Sequence, residues 1–240
     1  MNLQPAKSGD RLFFMGAAIG FTLLVFAGFA RTYYLHALFR VPAPSSFLAF
    51  HGAVMTGWIV LLPVQVALVS IGRTRLHRQL GLAAIAYAIL MIPIGCMATL
   101  GAAQREVRAH SAAQLSQLNV LGLELTQLLL FASFFGAGVW FRGRADLHKR
   151  LMVLATVCIL PNAIVRLSLL TQDGFLTTNF GIIGVWALFV LGVVAIDTLR
   201  NHRLHPAFGW GAPIAIAGLY LSWMGSRTAV WDQFWTRTLS

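Results

Sequence analysis

The feature that most constrains this chain is a series of apolar runs, each long enough to cross a lipid bilayer. A transmembrane helix needs roughly 20 mostly apolar residues to span a hydrocarbon core of about 30 Å. Such runs recur through the 240 residues, of which 58% are hydrophobic and 10% charged. Soluble domains carry about a quarter charged residues. The sequence therefore predicts an all-α polytopic membrane protein with a single transmembrane domain over 1–240.

Seven helices account for the apolar runs. We predict spans at about 12–30, 47–71, 82–103, 119–141, 151–171, 180–199 and 207–225, followed by an interfacial tail at 226–240. Cytoplasmic loops are enriched in Lys and Arg, so these residues indicate orientation. Eleven of the 18 fall on the side of the N-terminus and seven on the other side. The N-terminus is therefore predicted to be cytoplasmic and the C-terminus external, with the basic residues meeting anionic lipid rather than nucleic acid.

A short phrase occurs twice, as GRTRLHRQLG at 72–81 and as RGRADLHKRLM at 142–152. Each copy closes one apolar run and opens the next. Aligning Gly72 with Gly143 superimposes helices 2 and 3 on helices 4 and 5, and a weaker third copy begins at Asn201. The chain is therefore predicted to be one leading helix followed by three hairpin-like repeats, related by an axis along the membrane normal.

The repeated phrase places His77, His148 and His205 at the entries of three helices. Parallel repeats would put them at one depth, and two imidazoles from different helices are what a six-coordinate b-type haem needs. His77 and His148 are the first ligand pair on this hypothesis, and His51 would belong to an outer site. Three histidines could instead hold a transition metal. Interfacial anchoring among the lipid head groups explains the same residues, and both interpretations stay open.

A second polar group falls in the outer halves of the predicted helices. His51, Glu124 and Arg166 lie six to eight residues from the midpoints of their helices, which at 1.5 Å per residue places them ~9–12 Å toward the outside. Charged side chains in a membrane face the bundle interior and are candidates for function. The predicted ligand pocket comprises Arg31, Tyr33, Tyr34, His51, Glu124, Gln127, Asn162 and Arg166. A purely structural Glu124–Arg166 ion pair is the alternative.

Two further patterns concern single helices. His51, Trp58 and Gln65 recur every seven residues on one face of helix 2, a stripe that predicts packing into the bundle. Asp197, near the inner end of helix 6, is predicted to pair with the basic residue one turn later or to support His205.

Gly16 and Gly20 form a GxxxG pattern, which predicts a close-packing face on helix 1. Cys96 and Cys158 lack the spacing of a disulfide framework or a thiolate metal site. Phosphate-binding, nucleophile-elbow and zinc-protease motifs do not occur. The sequence therefore predicts no catalytic residues.

The segments FARTYYL, FHGAVMTGWIVLLPVQVALVSIGRTRLHRQLG, DLHKRLMVLAT…LPNAIVRL and DTLRNHRLHP resemble a family of bacterial multi-pass inner-membrane proteins whose activity is not established. The most distinctive part is the HKRLM-x-LAT segment. More distantly, a His-Arg or His-Lys pair at a helix entry is similar to small membrane proteins associated with haem or with cytochrome oxidase assembly. The resemblance implies a bacterial inner-membrane location and the same helical fold.

Three functions are compatible with these observations. The first is electron transfer through b-type haem. The second is non-enzymatic binding or transport of a small anionic or quinone-like molecule in the outer pocket. The third is assembly of a respiratory-chain complex without a cofactor. Membrane lipids, a quinone and a respiratory-chain protein are the corresponding partners.

Overall fold

The computed structural model describes residues 8–171 and 179–240, which form a bundle of nine α-helices. A π-helical turn, Ala30–Tyr34, directly follows the first helix. The helices are α1 (Ser8–Phe29), α2 (Ser46–Ser70), α3 (Thr74–Arg108), α4 (Gln114–Trp140), α5 (Ala145–Cys158), α6 (Pro161–Thr171), α7 (Asn179–Asn201), α8 (Pro206–Gly225) and α9 (Ala229–Leu239). The bundle end that contains residues 72–73, 141–144 and 202–205 is called the inner end, and the opposite end the outer end.

Six of the described helices are long and apolar enough to cross a membrane: α1 with its π-helical turn, α2, α3, α4, α7 and α8. The pair α5 and α6 provides a seventh span if it is taken as one broken helix. This pair does connect the two ends of the bundle. Lys149 in α5 bonds to Asp10 at the inner end of α1, whereas Arg166 in α6 lies beside Glu124 in the outer half of α4. The protein is therefore an all-α polytopic membrane protein.

Two helices begin earlier than the sequence predicted. α3 begins at Thr74 rather than near 82, and α5 begins at Ala145 rather than near 151. At 1.5 Å per residue α3 is about 50 Å long, well beyond the ~30 Å hydrocarbon core. Long basic side chains can reach the head groups while their backbone stays helical, so basic residues do not end these helices. His77 and His148 consequently lie in the first turns of helices instead of in loops.

The predicted fifth helix, at about 151–171, is broken in two. α5 and α6 meet at an angle of 44°, and Pro161, which has no N–H to donate, occupies the start of α6. The indole N–H of Trp186 donates to the Val157 carbonyl at 2.8 Å, so this carbonyl beside the break has a buried partner. Irregular backbone at membrane depth is tolerated where protein buries it or where it lines a cavity.

The three predicted hairpins appear as pairs of neighbouring helices: α2 with α3, α4 with α5, and α7 with α8. α4 lies at the centre and packs against α3, α5, α8 and α9. The buried Trp58 ring meets the rings of Phe131 and Phe135 edge-on, with centroids 4.9 and 5.2 Å apart. Its indole N–H donates to Thr156 Oγ1 at 3.4 Å. The middle residue of the α2 stripe therefore serves packing.

The tail that the sequence predicted to be interfacial forms α9, which packs against α3 and α4. The Trp231 indole N–H donates to the Leu118 carbonyl at 2.9 Å, and the Gln114 amide donates to Thr236 Oγ1 at 3.0 Å. These two bonds attach the C-terminal segment to the outer end of α4.

Candidate functional site

Three ionisable side chains from three separate helices converge in the outer half of the bundle. Arg166 in α6 interacts electrostatically with both Glu124 in α4 and His51 in α2. All three side chains are partly buried. We call the group formed by these three side chains and their neighbours the outer pocket. It contains the three residues that the sequence placed at one depth.

The outer pocket has a hydrogen bond and an aromatic contact that the sequence did not predict. Thr99 Oγ1 of α3 donates to Glu124 Oε2, and Thr99 is itself buried. The Arg166 guanidinium lies over the Phe29 ring, 4.5 Å from its centroid, and its Nη1 donates to the Asn162 carbonyl at 3.2 Å. Glu124 and Arg166 form no direct ion pair within 4 Å among the described contacts. The direct Glu124–Arg166 ion pair, which the sequence offered as the structural alternative, is therefore not formed between these groups.

A close approach of two backbones positions Arg166. A side chain on Gly28 of α1 would overlap the backbone of Ala163 in α6, so glycine is the residue that lets these helices touch. Ala163 lies three residues before Arg166, and Phe29 directly follows Gly28. This contact therefore brings the guanidinium over the Phe29 ring.

Two tyrosines of the π-helical turn connect the end of α1 to α2. The Tyr33 hydroxyl donates to the Ala49 carbonyl at 2.7 Å, and the Tyr34 hydroxyl lies 2.6 Å from Thr56 Oγ1. A side chain at Gly52 would overlap the Tyr33 ring. Both hydroxyls thus have partners on α2 and act as packing contacts at the edge of the outer pocket. Arg31 is half-buried on the same turn.

Several buried polar atoms in this half of the bundle have no hydrogen-bond partner among the described residues. His51 Nδ1 and Gln127 Oε1 are the two that belong to the predicted ligand pocket. Gln127 is only 4% exposed and lies one helical turn from Glu124 on α4. Leaving a buried polar group unsatisfied costs about 1–3 kcal/mol. Such atoms are therefore candidates for contact with a bound molecule or with water.

At the inner end, the structure brings His77 and His148 together. Their ring centroids are 6.3 Å apart and their planes are inclined by 79°. His148 Nδ1 lies 2.8 Å from the Gly138 carbonyl, which can only accept, so Nδ1 carries the proton and Nε2 is left as an acceptor. His77 Nδ1 faces the Gln65 amide, the last residue of the α2 stripe.

His205 is separate from this pair. Its Nδ1 accepts from the Ala207 N–H at 3.1 Å, which caps the start of α8, and its Nε2 lies 3.4 Å from Asp146 Oδ2. Burial of the ring and the nearby Arg150 guanidinium hold the pKa of His205 below its ordinary value, which favours the neutral ring that this cap requires. Both ring nitrogens are engaged, so His205 has no free nitrogen for a haem or a metal ion in this structure.

Asp197 hydrogen-bonds to a residue that the sequence did not predict, and it also interacts electrostatically with His205, one of its two predicted partners. Arg150 of α5 donates to both of its carboxylate oxygens, at 2.8 and 2.9 Å, and the two side chains are only 4% and 1% exposed. Asn201 also donates to Asp197 Oδ1 at 3.2 Å. The pair joins residues 47 positions apart on two helices, and no local sequence pattern indicates such a contact.

The pair of His77 and His148 is not part of a larger cluster of metal-ligating side chains within the described part of the chain. Among the described residues there is no group of three or more His, Cys, Asp or Glu side chains that could hold a metal ion. A cleft of about 510 Å³ lies on the opposite face of α4 from Glu124, between α8 and α9, and none of the predicted site residues lines it.

In comparisons with known proteins, no family model, no curated protein and no solved structure matches this chain.

Proposed function

We propose that this membrane protein binds a small anionic or quinone-like molecule in the outer pocket, as a binding or transport protein. The observation that carries the proposal is the convergence of Arg166, Glu124 and His51 from three helices beside partnerless buried polar atoms. Ionisable groups inside a membrane are costly and usually mark a ligand or ion path. Close packing alone does not require three of them at one place in the bundle.

The chemistry of these groups indicates the kind of ligand. The Arg166 guanidinium is a donor only, so it suits a carboxylate or a quinone carbonyl oxygen. His51 Nδ1 and Gln127 Oε1 can accept a hydrogen bond from a hydroxyl group. A molecule with an acceptor oxygen at one end and a hydroxyl at another satisfies both requirements. Quinone–quinol couples and aromatic hydroxy acids have this composition.

The break between α5 and α6 supports the same proposal. Discontinuous helices in transporters present their half-helix ends to a substrate near the middle of the membrane. Here α6 begins at the break and carries Arg166 little more than one turn later. Closure of the pocket would then involve α6 moving against α1, since Gly28 and Ala163 are in contact.

Ligand-dependent thermal stabilisation of the detergent-purified protein tests the proposal. Ubiquinone-1 and 4-hydroxybenzoate are suitable probes of the two ligand classes, and we expect one of them to raise the unfolding temperature. The shift should disappear in Glu124→Gln and in Arg166→Gln. It should persist in the control Arg108→Gln, because Arg108 is exposed at the outer end of α3.

Two results would contradict this proposal. One is the absence of any shift with both probes, which is the result expected of an assembly factor without a ligand of its own. The other is a shift of undiminished size in Arg166→Gln. The haem hypothesis for His77 and His148 concerns the opposite end of the bundle and stays a separate prediction.

A further inference from the structure

We propose that the cleft between α4, α8 and α9 binds one phospholipid, with an acyl chain in the cleft and the phosphate beside Arg227. The cleft has a volume of about 510 Å³ and lies in the outer half of the bundle. Ligand sites in proteins typically measure about 300–1,000 Å³. The cleft includes none of the outer-pocket residues, so a lipid here would be a second ligand, in addition to the one proposed for that pocket.

The cleft has the length and direction of part of an acyl chain. Its lining extends over residues 122–129 of α4 and 218–225 of α8. Seven residues of helix cover about 10 Å, whereas the hydrocarbon of one leaflet is about 15 Å thick. Each stretch runs from near the middle of its helix toward the outer end. The cleft therefore follows the helices, in the direction that a lipid chain takes in the membrane.

A glycine and three exposed apolar side chains shape the walls of the cleft. A side chain on Gly225 would meet nothing within 4 Å, so no protein atom fills the space beside it. Leu129, Val230 and Phe234 line the cleft and are exposed, so the cleft reaches the surface of the bundle. Because α4 and α8 are membrane spans, this surface faces the lipid hydrocarbon. A lipid chain is therefore the molecule at highest concentration at the mouth of the cleft.

Two hydroxyl groups at the outer end of the cleft already have partners. Ser226 Oγ donates to the Trp223 carbonyl at 3.3 Å, and Thr228 Oγ1 donates to the Gly225 carbonyl at 2.8 Å. The backbone N–H of Trp231 donates to Thr228 Oγ1 at 3.3 Å. None of the described residues that line the cleft carries a charge. These walls suit an acyl chain, since burying a polar group without a compensating hydrogen bond is unfavourable.

Arg227 supplies a positive charge at the outer end of the cleft. It directly follows Ser226, which lines the cleft. Its guanidinium lies over the Trp223 ring, 5.1 Å from the centroid, and it forms no ion pair with a described carboxylate. The nearby Asp232 accepts instead from Thr236 Oγ1 at 3.5 Å. Arginine suits phosphate because its planar fork can donate two parallel hydrogen bonds. A phospholipid therefore matches both the apolar cleft and the charge beside it.

Lipid titration of the delipidated full chain in detergent tests the site, with native mass spectrometry to count the bound molecules. Dioleoylphosphatidylglycerol is the probe, and dioleoylglycerol is the comparison, with the same chains and no phosphate. We expect one phosphatidylglycerol to bind before any others, and dioleoylglycerol to bind at least about fivefold more weakly. One basic residue beside anionic lipid accounts for a factor of that size. This comparison uses the parent protein and needs no variant to fold.

Two variants locate the bound lipid. Gly225→Leu fills the cleft and should weaken phosphatidylglycerol binding more than about fivefold, since overpacking has at least that effect. Gly225 has no positive φ, so leucine can adopt its backbone conformation. The control is Gly136→Leu, because Gly136 is exposed on the inner half of α4 and also has nothing within 4 Å. Arg227→Gln should remove the preference for phosphatidylglycerol over dioleoylglycerol. Its control Arg108→Gln, at an exposed position of the same end, should retain that preference.

Three results would overturn the inference. The first is equal affinity of the parent protein for the two lipids, or no saturable binding of either. The second is undiminished phosphatidylglycerol binding in Gly225→Leu. The third is a dimer of the protein that holds no lipid and dissociates in Gly225→Leu, because a second copy of the chain would then cover the cleft.

Discussion

At the scale of single residues, the glycines of α1 differ in how closely a neighbouring helix approaches them. Gly16 and Gly20 match the GxxxG pattern, yet a side chain at either position would meet nothing within 4 Å in this chain. The close approach occurs instead at Gly28, against the backbone of Ala163. The pattern indicated that two small residues share a face, but it carried no information about which glycine meets a neighbouring helix.

Gly28→Ala is therefore expected to destabilise the protein, whereas Gly20→Ala is not. The added methyl group at position 28 overlaps backbone atoms that cannot move independently, and overpacking typically costs about 1–3 kcal/mol. Thermal unfolding of the two variants in detergent measures the difference, with Gly20→Ala as the matched control on the same helix. Equal unfolding temperatures for both variants would show that α1 and α6 do not touch at Gly28.

At the scale of elements, the start of α5 joins the inner ends of several helices. Asp146 reaches His205 before α8, Lys149 reaches Asp10 in α1 at 2.5 Å, and Arg150 reaches Asp197 in α7. The basic residues of the segment thus have specific partners, in addition to the topological role that the sequence predicted. In the first copy, Arg78 and Gln79 occupy the positions equivalent to Lys149 and Arg150, and both are exposed. The two copies are alike in sequence but differ in the contacts that these side chains make.

Removal of Asp197 should cost much more stability than removal of Asp10. Breaking a buried ion pair leaves an uncompensated buried charge and costs about 3–5 kcal/mol. The Lys149–Asp10 pair is 28% and 22% exposed, and partly solvated pairs contribute about 0–1 kcal/mol. Unfolding of Asp197→Ala and Asp10→Ala, compared in the same detergent, measures this ranking. A reversed or equal ranking would mean that Arg150 finds another partner or reaches water.

At the scale of the whole molecule, the inner and outer ends differ in their residues and contacts. The inner end carries the histidine pair and the ion pairs of α5, whereas the outer end carries α9 and the outer half carries the outer pocket. The contacts at the inner end make the inner-end loops neighbours. This is the arrangement expected if the chain crosses the membrane seven times. Which end faces the cytoplasm remains the prediction of the basic-residue count.

Cysteine labelling in intact cells tests that orientation. In a background with Cys96 and Cys158 replaced by alanine, Gly143→Cys and His110→Cys each place one thiol in an exposed loop, at the inner and outer end respectively. A membrane-impermeant maleimide should label position 110 and leave position 143 unlabelled until the cells are opened. Labelling of position 143 from outside would reverse the orientation and place the outer pocket toward the cytoplasm.

The sequence by itself determined the helical class, the spans and hairpins, and the depth of His51, Glu124 and Arg166. Length and hydropathy decide whether a segment crosses a bilayer, and position along a helix converts directly into depth. These are one-dimensional quantities. Whether a helix is continuous also depends on the local sequence. The break at Pro161 was nevertheless not predicted, because proline within an apolar run is compatible with a continuous kinked helix.

Only the tertiary structure decided which side chains meet across helices. In the structure, Asp197 pairs with Arg150, and His205 caps the start of α8. Tyr33 and Tyr34 contact α2, and His77 lies beside His148. These outcomes depend on the rotation of each helix about its axis and on how closely neighbouring backbones approach. Rotation and approach are set by packing, through contacts such as that of Gly28 with α6, and packing involves residues far apart in the chain.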